Sequence, residues 1–266
     1  MDNKNVALRV GRTILDLVAP CYCMVCGLPS RRPITLCQPC ERELAGNSPA
    51  CPCCAAPLPN TVPLPNTESL AMHAALCGHC QVNPPAFQRT IAPHLYTEPL
   101  STAIKTMKFK GDLSLLAALA HLLAGNVARE LAHRPRPDYL LPMPLHWWRH
   151  WRRGFNQAEL LAQALCRHPL LSPYNLQVAG HWCRRTRATR PQAGLGADQR
   201  AVNLRNSMQC TSTLSGLHLV IVDDVMTTGA SANALARVLL AAGAAQVDVW
   251  CCARTPGPLP DSAKLS

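Results

Sequence analysis

Four Cys-x-x-Cys pairs crowd the stretch from residue 23 to residue 80: Cys23/Cys26, Cys37/Cys40, Cys51/Cys54 and Cys77/Cys80. Ten residues separate the first pair from the second, and twenty-two separate the third from the fourth. Each pair turns two thiolates towards one point, and two facing pairs complete a tetrahedral tetrathiolate site for Zn2+. Eight cysteines so spaced predict two structural zinc sites. With four protein ligands per ion, neither site keeps an open position for catalysis. A site of this kind contributes roughly 10–16 kcal/mol to folding a small module at pH 7. The segment needs that, being poor in long apolar runs and carrying Pro57, Pro59, Pro63 and Pro65 in one loop. Cys21 and Cys53 are spare thiols that could replace a neighbour, whereas His73 and His79 read as surface loop histidines. The pairs can close in sequence or cross over, and spacing allows both.

Disulfides are the competing explanation for so many cysteines, and the N-terminus argues against them. Val6, Leu8, Val10, Ile14, Leu15, Leu17 and Val18 are interrupted by Arg9, Arg12 and Asp16. That pattern is an amphipathic helix over 1–20 rather than an export leader. A reducing cytoplasmic setting is therefore expected, where thiols stay free to bind metal. No apolar run approaches the roughly 18–20 residues that span a bilayer, so no membrane insertion is expected.

The chain has 266 residues, enough for a second, larger unit. Asn83-Pro84-Pro85 marks a boundary. The reading is then a zinc-binding module over 21–84, a larger domain over 85–254 and a flexible, Pro-containing tail over 255–266. Within the larger domain, strands are expected at 89–96, 139–143, 176–182, 217–222 and 246–252. Helices are expected at 100–109, 113–132, 156–167 and 231–242, with Gly111 breaking the first from the second. Solidly apolar strands alternating with helices indicate an α/β domain with a buried parallel sheet and helices on both faces.

The most informative run is 219–231, Leu-Val-Ile-Val-Asp-Asp-Val-Met-Thr-Thr-Gly-Ala-Ser. A buried strand delivers Asp223 and Asp224 to the carboxyl edge of the sheet, where α/β proteins bind ligands. Thr227, Thr228, Gly229, Ala230 and Ser231 then enter a helix. Small residues let backbone N–H groups converge on an anion, and the helix dipole favours a phosphate there. The two carboxylates would receive ribose hydroxyls, directly or through Mg2+ and its waters.

This run resembles the phosphoribosyl-pyrophosphate (PRPP) motif of type I phosphoribosyltransferases. The chain from about residue 23 to 254 is similar to the ComF/GntX family, in which a double zinc ribbon precedes such a domain. Further matches are Lys-Thr-Met-Lys-Phe-Lys-Gly at 105–111, Pro-Met-Pro-Leu at 142–145 and Trp-Arg-Arg-Gly-Phe-Asn-Gln at 151–157. The Arg185-Thr-Arg…Gln192…Leu195…Arg200…Asn203 pattern also matches. The segment from His150 to Gln157 and Val249-Trp-Cys251 favour the GntX-like branch. The resemblance implies that Asp223 and Asp224 contact ribose and that 227–231 hold the 5′-phosphate. It further implies a pyrophosphate turn around Pro144 and Leu145, with Arg152, Arg153, Arg187, Gln192 and Arg200 in cationic loops over it. Mg2+ would accompany PRPP. A link to DNA uptake and DNA utilisation, with uptake proteins as partners, is likewise implied. Purine-salvage members place an acidic base three positions after the second acid; here that position is Thr227. The acceptor is therefore not identified, and neither is a catalytic residue.

Charge adds a second function class. The formal net charge is +11, and arginine far outnumbers lysine. Ten arginines and only two acids lie between Trp147 and Arg205, with Trp148, Trp151, Phe155 and Trp182 among them. Guanidinium groups pair with phosphates and aromatic rings stack on unpaired bases. Single-stranded DNA is thus an expected alternative ligand, with the protein a non-catalytic accessory factor.

Overall fold

The computed structural model describes residues 21–59, 76–145, 154–186 and 208–256. The expected N-terminal helix over 1–20, the tail from 257, His73, Trp147, Trp148, Trp151, Arg152, Arg153, Arg187, Gln192, Arg200 and Arg205 lie outside these residues.

Among the described residues, the Cys-rich part contains the short helices α1 (Gln38–Glu43) and α2 (Gly78–Val82). The larger part contains β1 (Arg89–Ile91), β2 (His94–Leu95), α3 (Leu100–Lys110), α4 (Leu115–Leu131), β3 (Tyr139–Pro142) and α5 (Gln157–Arg167). It continues with β4 (Cys183–Arg185), β5 (Met208–Cys210), β6 (His218–Met226), α6 (Ala230–Ala241) and β7 (Gln246–Arg254). The main sheet has the order β1-β7-β6-β3, with β2 also on β7, and every pairing is parallel.

Alternation along the central strands divides the core. Val220, Val222 and Trp250 join Ile104, Met107, Leu119, Leu123, Leu161 and Leu165 of α3, α4 and α5 in one cluster. Leu219, Ile221 and Val249 join Leu235, Ala236 and Leu239 of α6 in the other. Helices therefore cover both faces, as the apolar strands require. Each fully buried Leu or Ile contributes about 1.5–3 kcal/mol before entropy is counted.

The expected strand at 89–96 is two strands, because Pro93 follows Ala92 and cannot donate to a ladder. Its carbonyl instead accepts from Asn47 N at 2.9 Å. The expected strand at 176–182 is reduced to a parallel bridge, Leu140 with Val178, followed by a 3-10 turn at Gly180–Trp182. β4 and β5 form a separate antiparallel pair at the two ends of the segment 187–207. The apolar run at 217–222 continues as strand to Met226, so the acid pair lies within β6 rather than after it.

The Cys-rich part is built onto the sheet. Gly46 bridges to His94, Thr90 N donates to Pro52 O, and Thr35 Oγ1 donates to Ser114 O. Leu36, Cys40 and Leu44 join the first core cluster, whereas Cys51, Cys54 and Cys80 join the second. One half of this small module thus packs with each face of the domain.

Candidate functional site

The eight paired cysteines form two groups, Cys23/Cys26/Cys37/Cys40 and Cys51/Cys54/Cys77/Cys80, whose sulfurs all lie within 4.8 Å of one another in each group. Sulfurs at about 2.3 Å from a tetrahedral zinc stand about 3.8 Å apart. Cys26 and Cys37 Sγ atoms are 3.9 Å apart, and Cys54 and Cys77 Sγ atoms 3.6 Å apart, so the donor sets fit Zn2+. The pairs close in sequence rather than crossing. Spare Cys53 donates towards Phe87 O, and His79 is exposed outside both groups.

Backbone N–H groups face the sulfurs: Val25 N to Cys23 Sγ at 3.5 Å and Cys77 N to Cys51 Sγ at 3.4 Å. Burial works to raise the Cys23 thiol, but N–H groups of Cys37, Cys26 and Val25 bring it down to about 6. The hydrogen bond from Cys54, above all, lowers Cys51 to about 4. Cys40 and Cys80 move the other way, pushed up chiefly by burial, and Cys54 chiefly by its hydrogen bond to Cys51, so a bound cation would displace protons from each group.

At the carboxyl edge of the sheet, Asp223 and Asp224 stand side by side on β6. Asp224 is buried (1% exposed) and Asp223 half-buried. Lys108 of α3 reaches Asp224 Oδ2 with Nζ at 2.8 Å. Burial and the charge of Asp224 push Asp223 well above the usual carboxylate range, with Lys108 opposing. Two adjacent carboxylates thus share their environment with one ammonium. Mg2+ requires near-octahedral oxygens at about 2.0–2.1 Å. An ammonium against Asp224 Oδ2 is incompatible with an all-protein Mg2+ site at that atom. The pair suits hydroxyl recognition, with any Mg2+ held mainly by oxygens of the ligand.

Gly229 precedes α6 at φ +78°, a conformation that glycine adopts without strain. Thr227, Thr228 and Ala230 are exposed around it, and Thr228 Oγ1 accepts from Ala230 N at 3.3 Å. β6 ends at Met226 and α6 starts at Ala230, so the beginning of α6 lies just beyond the acid pair in the chain. Pro144 is buried and Leu145 half-buried in the turn after β3. Asn156 caps α5 through Ala158 N and donates to Met143 O at 3.2 Å, tying that turn to the helix.

Two residues at this edge escaped the sequence reading of roles. Lys108 was visible only within a family match. Arg254 closes the apolar strand β7 and is 9% exposed, a charged residue where the alternation gives no outward face. Its Nη1 donates to the carbonyls of Met226 (3.4 Å), Thr227 and Thr255, and its Nε to that of Cys54 at 3.0 Å.

Two sequential four-cysteine groups on a parallel α/β sheet, with an acid pair and a glycine-bearing turn at its carboxyl edge, define a zinc-ribbon protein with a parallel α/β domain. A double zinc ribbon domain family matches residues 14–81. The DNA utilization protein YhgH of Salmonella typhi is 39% identical over 243 residues, 90% of this chain and 99% of the relative. Competence protein F of Haemophilus influenzae is 31% identical over 224 residues, 82% and 90% of the two chains. The protein belongs to the ComF/GntX family. A purine phosphoribosyltransferase from Pyrococcus horikoshii superposes with a TM-score of 0.33 at 16% identity, covering 55% of this chain and 78% of that one. Among the described residues no helix is long and apolar enough to cross a membrane.

Proposed function

We propose that the protein binds PRPP or a related phosphoribosyl ligand with Mg2+ at the carboxyl edge of its sheet, in a role connected with DNA utilisation. The observation that carries this reading is the juxtaposition of Asp223 and Asp224 with the turn at Gly229 and the start of α6. Carboxylates accept from ribose hydroxyls, while N–H groups and the Thr227, Thr228 and Ser231 hydroxyls donate to a 5′-phosphate. Mg2+, where bound, would neutralise pyrophosphate oxygens as charge develops on the leaving group. The DNA connection rests on the names of the relatives.

Calorimetry with PRPP–Mg2+ tests the pocket. Wild type should bind, and Thr228→Ala and Asp224→Asn should each weaken binding at least about tenfold, as loss of a hydrogen bond to a charged group does. Absence of heat in wild type would overturn the reading. Pyrophosphate release across bases and amines then tests turnover and names the acceptor.

A second reading, single-stranded DNA binding, is favoured by Phe109. It is 74% exposed, off the buried stripe of Leu100, Ala103, Ile104 and Met107 on α3. Lys110 follows it in sequence, while Lys108 is held by Asp224 and Lys105 by Glu98. An exposed aromatic ring next to a lysine suits a stacked base beside a phosphate. The arginines expected to take part between Trp147 and Arg205 fall largely outside the described residues.

A further inference from the structure

We infer that Arg254 is a positioning residue that couples the second four-cysteine group to the turn before α6, so that loss of that zinc loosens the turn. What the turn does rests on its assignment to the 5′-phosphate; the coupling itself rests on geometry.

The guanidinium is buried, and among the described residues no carboxylate lies within ion-pair distance of it. Its partners are backbone carbonyls drawn from three places in the chain. On one side Nε holds Cys54 O at 3.0 Å, the carbonyl of a zinc-ligand residue. On the other Nη1 holds Thr227 O and Met226 O, where β6 leaves the sheet, and Thr255 O beyond β7. A planar fork can hold acceptors on two sides, whereas a lysine ammonium on a flexible stem cannot reproduce that fixed geometry. Burying the cation is tolerable only while those acceptors stay in place.

The Cys54 end depends on metal. Its carbonyl sits in the turn closed by Ala55 N to Cys51 O and Cys51 N to Ala56 O, both 2.8 Å. Ala55 in that turn has φ +52°, a left-handed conformation that is unfavourable for a non-glycine residue. Zinc on Cys51 and Cys54 holds the turn against that cost. Without the ion, the turn relaxes and Arg254 loses its Nε acceptor. The first four-cysteine group is attached differently, through Arg32, Glu41 and His121 of α4, so the coupling is specific to the second zinc.

The test uses the full, zinc-loaded chain and Arg254→Lys. Hydrogen exchange should rise about tenfold at both 51–56 and 226–231, with 23–40 unchanged. Release of one of the two zincs to a chromophoric chelator should accelerate about fivefold, in the range of ordinary coupling between sites. Exchange that rises at one end only, or at neither, would overturn the coupling. Should the variant not fold, wild type decides: partial zinc removal that opens 51–56 must also open 226–231, and independent behaviour sinks the idea. Where PRPP–Mg2+ binds, it should slow release of the same zinc about fivefold, and Arg254→Lys should abolish the effect. If PRPP does not bind but the two segments still open together, the pocket assignment fails and the coupling stands.

Discussion

Lys108 Nζ lies 2.8 Å from Asp224 Oδ2, joining the last turn of α3 to the acid pair of β6. Asp224 is almost wholly buried, so the contact is largely shielded from water. Removing one member of a buried pair strands the other, which is worse than replacing both.

Lys108→Met should therefore destabilise the protein by about 2–3 kcal/mol, a figure reduced because Lys108 is partly exposed. Adding Asp224→Asn to it should recover much of that loss. Urea unfolding of the double-mutant cycle measures the coupling, and strictly additive effects would show that the pair acts independently.

Asp223 titrates above its unfolded value. The stability associated with its protonated form is complete below the unfolded value and is lost as pH rises through the raised native one. Asp223→Asn mimics the neutral carboxyl permanently. The variant should melt higher than wild type, with a gap that widens as pH rises from the unfolded value through the raised native one, while its affinity for a ribose-bearing ligand falls. A gap independent of pH would assign the difference to packing.

Sequential closure of the two four-cysteine groups has a direct stoichiometric consequence. Elemental analysis of wild type should give two zinc ions per chain, and Cys23→Ser with Cys40→Ser should leave one. Crossed pairing would place those residues in different sites and remove both ions.

Gly229 holds φ +78° where β6 turns into α6. A Cβ there would meet Met226 Sδ at 3.6 Å and Phe87 Cζ at 3.8 Å, ordinary contacts, so backbone strain is the dominant cost. Gly229→Ala should destabilise by about 1–2 kcal/mol. It should also weaken phosphate-ester binding in calorimetry, because the N–H groups at the start of α6 would be re-aimed.

Stacking on Phe109 predicts a different pattern. Phe109→Ala should reduce affinity for a fluorescent single strand by about 1–3 kcal/mol while leaving stability nearly unchanged. Wild-type affinity should fall steeply with salt as counterions are displaced. Affinity insensitive to both would remove the nucleic-acid reading.

Local pattern was enough to say which atoms could become ligands and which segments had to be buried. Cys-x-x-Cys spacing is a local property, and so are the apolar runs of β6 and β7 and the order acid pair, small residues, helix. Each of these survives in the structure with boundaries shifted by a few residues. The strand at 89–96 split because one proline removes a ladder donor, and β6 ran on to Met226 because pairing with β7 extends to its end. Which Cys-x-x-Cys pairs face each other was settled by the assembled fold, because it depends on how the chain returns between them. Folding likewise brought Lys108 to Asp224 across 116 residues of sequence, and Arg254 to Cys54 across 200. Burial gives those charged contacts their energetic weight, and burial belongs to the whole fold, not to a short run of residues.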